Sequence, residues 1–387
     1  MDRPEKGQLY KHILKTEGVK HVLDGPEKLE ECADYILTQF KEYGLTTKEQ
    51  KFRIDGLDYD LRNIEAWIGE ESEPQLIVAS HYDTVSIAPG ANDNGTAIAV
   101  MLETSRVLAQ TDITGVRFVS FTLEEGNPVF QRAMRELLTQ LRFIDETKRY
   151  SSLRAKEVMK KYGNAANEEW RKGKDRDRMV SAALDAIRDD LKENELVILD
   201  DFLNSPSAEY LKRNYGSIGS KHWIEQAQKQ NREVIGMLCL ETIGYTSKQP
   251  HSQNLPQGLG TEMFQKYNTS ENLSIGDFIA ILADKNSGDL AQSFADACED
   301  DSVNLPYGLL QVPMGYDEIV KSAPDLLRSD HAPFWKAGIP ALMLTDTANF
   351  RYPYYHTEAD TINKIDFDFL EKIAKATIAA TQNQVES

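Results

Sequence analysis

Four short apolar runs, at residues 76–79, 116–123, 234–240 and 341–344, constrain this chain more than any other feature of it. Each is rich in residues that suit a strand buried on both faces, so together they form the centre of a sheet. Helical spacings lie between and around them. Ala97, Val100, Met101, Thr104 and Leu108 make one buried stripe, and Phe367, Leu370, Ile373, Ala374 and Ile378 make another. Ahead of the first run, Leu29, Cys32, Ala33, Ile36, Leu37, Phe40 and Tyr43 recur at three- and four-residue steps, and Gly44 ends that helix. Strands alternating with helices are the signature of an α/β fold.

Residues 131–215 break the alternation. They contain no strand-like run, but Phe130, Met134, Leu137, Leu138 and Leu141, then Met179, Ala183, Ile187 and Leu191, repeat at helical spacing. The reading is an all-helical subdomain, 131–215, inserted into an α/β body made of 1–130 and 216–387. A length of 387 residues suits one large domain with such an addition. Charge divides the same way. The chain has 44 Lys and Arg against 62 Asp and Glu, a net −18. Of these, 18 basic and 16 acidic side chains fall within the insertion, so the body alone stands at −20. The charge run from Lys172 to Arg178 reads as a solvated face.

Such acidity argues against a nucleic-acid or anionic-membrane surface. Hydrophobic residues at 41% and charged residues at 27% are those of a globular protein, so the acidity does not signal disorder. Cys32, Cys239 and Cys298 are odd in number and far apart, which indicates neither a disulfide framework nor a thiolate zinc site. With a charged first segment and no apolar run near the roughly 20 residues of a membrane span, the expectation is a cytoplasmic protein.

The residues at and just beyond the strand ends decide the functional reading. The first run leads to His81 and Asp83, the second to Glu124 and Glu125, the third to Glu241, and the fourth through a loop to His356. In an open α/β sheet the carboxyl ends of the strands form the ligand crevice, so these groups converge. Singly, a strand-end histidine or a Glu-Glu pair reads as surface, and Asp93 before Asn94-Gly95 as a turn or helix cap. Gathered in one crevice, Asp93, Glu124, Glu125 and Glu241 repel one another and require a cation. Imidazole and carboxylate ligands without thiolate suit zinc, with manganese or cobalt as substitutes. Five candidate ligands exceed what one catalytic zinc needs, which favours two ions.

The segments His81-Tyr-Asp-Thr-Val85, Pro89-Gly-Ala-Asn-Asp-Asn94, Glu124-Glu125, Leu240-Glu-Thr-Ile-Gly-Tyr245, Ser329-Asp-His-Ala-Pro-Phe334, Gly338-Ile-Pro340, and His356 with Asp360-Thr361 resemble, in order and spacing, the motifs of the M28 zinc aminopeptidases. The resemblance runs from about Leu29 to Ala380 apart from the helical insertion. It implies the three-layer α/β/α zinc-exopeptidase fold, phosphorylase/hydrolase-like, with a mixed twisted central sheet. It also implies roles: His81 and Glu241 on one zinc, Glu125 and His356 on the other, Asp93 bridging, Asp83 orienting the His81 imidazole, and Glu124 as general base. A cis peptide at Asp93-Asn94 comes with it. Glu241 departs from the family, where Asp is frequent, though a carboxylate is retained. At a bent strand end one carboxylate of the Glu124-Glu125 pair holds metal while the other hangs over the bound water.

Ser329-Asp330-His331 is not expected to form a serine triad, since triads assemble from distant segments. His331 is assigned to structure or to the substrate pocket, and His12, His21, His222 and His251 to no catalytic role. The leading function is removal of N-terminal residues from peptides by a metal-activated water. Alternatives are a carboxypeptidase of the same fold, with Arg328 or Arg351 holding the terminal carboxylate, and glutaminyl cyclase-type acyl transfer. A non-enzymatic interaction domain is disfavoured because all five ligand positions and Glu124 carry competent side chains. The expected partner is a peptide, with no nucleic acid and no membrane. The insertion, which opens just after Glu125, is expected to act as a lid or to mediate homo-oligomerisation, and Tyr210, Tyr215 and Trp223 are candidates to line a substrate path.

Overall fold

The structure, a computed structural model, describes residues 3–386 apart from 214, 257, 270 and 271. Strands β1 (Thr46–Phe52), β2 (Leu61–Ile68), β3 (Gln75–His81), β4 (Val116–Phe121), β5 (Val234–Glu241), β6 (Lys266–Asn268), β7 (Ile279–Ala283), β8 (Tyr307–Gln311) and β9 (Ala341–Thr345) form one sheet in the order 1-2-4-3-5-9-7-8-6. The four apolar runs are β4, β3, β5 and β9, four parallel neighbours at its centre. Val78 stands beside Phe118 on one side and Leu238 on the other, and Leu238 beside Leu342. The flanking pairs β1/β2, β2/β4, β7/β9 and β6/β8 are antiparallel, which makes the sheet mixed. These flanking strands lie outside the four runs. β1 is the clearest case: in TTKEQKF only the last residue is buried, so an edge strand carries no apolar run to read.

Side chains alternate across the central strands and build a layer on each face. Leu76 and Val78 face a core shared with Leu9, Phe40, Val100 and Leu370. It is supplied by α1 (Lys6–Thr16), α2 (Pro26–Glu42) and α3 (Ala97–Leu108). As the spacing predicts, Gly44 follows α2 at a φ of 80°. The chain then leaves the sheet through α4 (Pro128–Gln140), α5 (Leu153–Arg171), α6 (Arg176–Arg188) and α7 (Glu193–Leu203), and returns by α8 (Ile218–Lys229). α9 (Gly288–Glu299) joins the first layer. α8, α10 (Tyr316–Ser322) and α11 (His331–Lys336) cover the opposite face, where Ile77, Ala79, Trp223 and Phe334 pack. α12 (Phe367–Glu386) closes the first layer. Trp223, a candidate for the substrate path, is a core residue: it stacks on Phe334 with ring centroids 5.7 Å apart.

The helices between Pro128 and Lys212 have an apolar cluster of their own, in which Phe130, Leu137, Ala183, Leu199 and Phe202 are buried. They are tied to the body at defined points. Asp24, in the loop before α2, accepts hydrogen bonds from Arg135 of α4 and from Lys148. His21 lies 3.0 Å from the same carboxylate and 2.7 Å from the side-chain oxygen of Gln131. Arg149 is 3.4 Å from Glu358, two residues beyond His356, at the surface.

One fully buried cation sits within the sheet. Arg117 of β4 donates to Glu65 at 2.7 Å and to Gln75 at 2.7 Å, and stacks over Trp67. Breaking a buried pair costs up to about 3–5 kcal/mol, here softened because Glu65 also accepts from the Trp223 indole and lies 3.5 Å from Arg232. Arg117→Met is therefore expected to lower unfolding stability by up to that order in denaturant titration, and Glu65→Gln in the same chain to recover part of it.

Candidate active site

The centre of the crevice is Asp93, 2% exposed, in the turn of residues 91–96 that leads into α3. The peptide bond Asp93-Asn94 is cis, as the resemblance implies. One carboxylate oxygen lies 3.4 Å from Nε2 of His81, and the other 3.1 Å from Nε2 of His356. Each imidazole meets a second carboxylate: His81 meets Glu241 at 3.2 Å, and His356 meets Glu125 at 3.1 Å. The five residues read from strand ends and from the turn thus form one arrangement, symmetric about Asp93. The longer Glu241 side chain reaches it without difficulty.

Burial disfavours the charged ring of His356, yet Glu125 and Asp93 outweigh it and push its pKa up to about 11. His81 is likewise driven up against its burial, chiefly by Glu241. Glu124 is driven far above the carboxylate range by burial and by the neighbouring Glu241, Glu125 and Asp330 charges. Its carboxyl therefore belongs to the same field as the five.

Whether a cation fits is answered by the unsatisfied atoms. Nε2 of both histidines, Oδ1 of Asp93 and Oε1 of Glu125 are buried without a hydrogen-bond partner. Buried polar atoms are rarely left so, and four in one cluster mark a site built for something else. Donor atoms of His81, Asp93 and Glu125 lie within 4.8 Å of one another, close enough to share a metal ion.

Several residues that hold this arrangement carry carboxylates themselves. Asp83 accepts the main-chain N–H of Glu124 and of Glu125, each at 3.1 Å, so it fixes the turn carrying both glutamates. Toward His81 it is the Asp83 main-chain carbonyl, 3.2 Å from Nδ1, that lies nearest, while the carboxylate is 3.6 Å away. Asp360 accepts the N–H of Asn92 and of Asp93 and the hydroxyl of Tyr352. Asp346 accepts from Asn92, Tyr245 and Ala348. Ser329 donates to Glu241 at 2.7 Å. Strand-end spacing alone assigns no role to Ser329, and Asp346 was passed over too. Asp346 directly follows β9, and the rule that singles out the other strand ends applies to it equally.

Ser329, Asp330 and His331 point to three different partners, respectively Glu241, Ser220 and the Leu326 carbonyl, and so form no triad. Of the two arginines considered for a carboxypeptidase, Arg351 is committed to structure by bonds to Gln253 and the Phe278 carbonyl and by stacking on Phe278. Arg328 donates to Asn349 and lines, with Glu241, Tyr355, Leu255 and Leu259, a small apolar pocket of about 60 Å³ beside the centre. His12, His21 and His222 lie in other contacts: His12 with Tyr35, His21 with Asp24, His222 stacked on Phe52.

Residues 63–172 and 310–381 match Peptidase family M28. Those segments make up 182 of the 387 residues, and over them the chain is similar to that family. Among curated relatives, the uncharacterized protein YfbL of Escherichia coli (strain K12) is 24% identical over 375 residues, 93% of this chain and 82% of its own. Aminopeptidase YwaD of Bacillus subtilis (strain 168) is 49% identical over 54 residues, 13% of this chain and 12% of that one. The LapA aminopeptidase of Legionella pneumophila superposes with a TM-score of 0.58 at 14% identity, covering 99% of this chain and 73% of that one. The glutaminyl cyclase of Porphyromonas gingivalis does so with a TM-score of 0.57 at 16% identity, over 99% and 100%. At these identities the two structures establish the fold. The M28 match and the similarity to an aminopeptidase support a peptidase-family hydrolase. None of its described helices is long and apolar enough to cross a membrane.

His331 offers a test outside the five-residue cluster. It is fully buried, and burial holds its pKa down at about 4 despite the Leu326 carbonyl. The unfolded chain takes up a proton near 6.5 and the folded one does not, so this residue costs stability as pH falls from 6.5 toward 4. The cost at pH 5 is on the order of 2 kcal/mol. In His331→Asn, thermal melting between pH 7 and pH 5 is expected to be less acid-sensitive than in wild type.

Proposed function

We propose that this protein is a di-zinc M28 aminopeptidase that removes N-terminal residues with apolar side chains. The observation that carries the reading is the pairing of each Asp93 oxygen with an imidazole whose Nε2 has no hydrogen-bond partner. His81 and Glu241 would hold one ion, His356 and Glu125 the other, with Asp93 between them; cobalt or manganese are substitutes of matching ligand preference. Zinc, when bound, supplies an acidified water and polarises the scissile carbonyl.

The chain's own residues do the rest. Glu124 takes a proton from the attacking water and delivers it to the leaving amine. Asp83 keeps Glu124 and Glu125 in fixed relation through their main-chain N–H groups. The acidic body attracts a substrate's α-ammonium group. The pocket lined by Leu255, Leu259, Phe264, Leu310 and Met343 accepts the first side chain. In this reading the helices of the insertion, anchored on Asp24 and reaching Glu358, stand over the crevice and favour short peptides. Three buried free thiols agree with a cytoplasmic setting.

Glu124→Gln is expected to lower kcat on an aminoacyl peptide by about 10²–10⁴-fold with metal content unchanged by elemental analysis. Equal turnover of the N-acetylated peptide would defeat the aminopeptidase reading, and cyclisation of an N-terminal glutamine without hydrolysis would transfer the protein to acyl transfer. Chelation is expected to abolish activity and lower the melting temperature, and added zinc to restore both.

A further inference from the structure

Arg176 stands out among the cations of the insertion. It lies at the start of α6, its guanidinium 4.3 Å from the ring centre of Phe130 and 5.4 Å from that of Tyr215. Among the described residues its one hydrogen bond runs from Nε to the Leu211 carbonyl, and no carboxylate lies within ion-pairing distance of it. In a chain with 62 acidic side chains against 44 basic ones, a half-buried guanidinium without a counter-ion is a distinctive arrangement. Burial also lowers its pKa, which marks the cost of keeping it there unpaired. Nearby, Tyr162 is 8% exposed and its hydroxyl has no partner.

Tyr215 links this cation to the chemistry. A methyl group built on Gly126, the residue after Glu125, would lie 3.6 Å from its Cζ. Its phenol is raised by burial and by the charge of Glu125 and Glu124, and the ring remains half exposed. Arg176 therefore sits one aromatic ring beyond the turn that carries both glutamates. A peptide spans at most about 3.5 Å per residue, so the terminal carboxylate of a dipeptide or tripeptide falls one or two residues past the scissile bond. The ring of Tyr215 is all that is seen to stand between that turn and the guanidinium, so a carboxylate bound by Arg176 belongs to a short peptide.

We infer that Arg176 is a specificity-determining residue that receives the free C-terminal carboxylate of a di- or tripeptide whose N-terminus is at the metal-binding cluster. A guanidinium presents paired donors to a carboxylate, and contact with the Phe130 ring, itself edge-to-face with Tyr215, restricts its orientation. This deepens the aminopeptidase reading and rests on it: the body reads the positive end of the substrate and the insertion the negative end.

The test compares Leu-Gly and Leu-Gly-Gly with their C-terminal amides, on wild type, Arg176→Met and Arg176→Lys. The same peptides are titrated calorimetrically into the Glu124→Gln protein with and without Arg176→Met. Wild type is expected to favour the free acids by at least about tenfold in kcat/KM. Arg176→Met should remove that preference while leaving the amides and the melting temperature unchanged, and Arg176→Lys should keep part of it. Equal use of acid and amide by wild type, or a preference that survives in Arg176→Met, overturns the inference. If nothing is hydrolysed but the acids bind more tightly and only with Arg176 present, the anchor stands and the hydrolytic reading falls.

Discussion

The crevice is organised around the repulsion of buried carboxylates. Asp93, Glu125 and Glu241 stand close together with Glu124 and Asp330 facing the same space, and like charges at such depth raise one another's free energy steeply. Two imidazoles answer part of it at distances of 3.1–3.4 Å. The remainder is handled by aiming main-chain N–H groups and hydroxyls at the supporting carboxylates, so Asp83, Asp360 and Asp346 spend their charge on holding loops. The architecture of the site is a set of acceptors, each given a donor except where a cation is wanted.

That division explains what could be read in advance. The central strands are apolar on both faces and leave a plain trace in sequence, and the residue following such a strand is delivered to the crevice whatever its identity. His81, Glu124, Glu125 and Glu241 were legible for this reason, and the sheet's centre with them. β1 was not, because an edge strand facing water has no apolar run. Nor was the switch of Asp83 from imidazole partner to clamp on the Glu124-Glu125 turn, since that depends on a distance of a few tenths of an ångström. Ser329 was hidden by standing in a triplet whose members bond in three separate directions. Side-chain direction at a bend is a property of tertiary packing, and spacing along the chain does not carry it.

The insertion follows a different logic. Its helices bury their own cluster and meet the body through charged contacts at Asp24 and Glu358. Arg149, on the near-neutral insertion, pairs at the surface with Glu358 of the acidic body.

Asp360 joins the main chain of Asn92 and Asp93 to the segment that carries Tyr352 and, four residues before Asp360 itself, His356. Two supports of the site on opposite sides of the crevice are thereby fastened to each other and move as one piece. The apolar pocket draws in part on other loops, at 253–256 and 347–350. Descendants of this chain can therefore rebuild the pocket and change what enters it while the fastened pair, and the chemistry it holds, stays where it is.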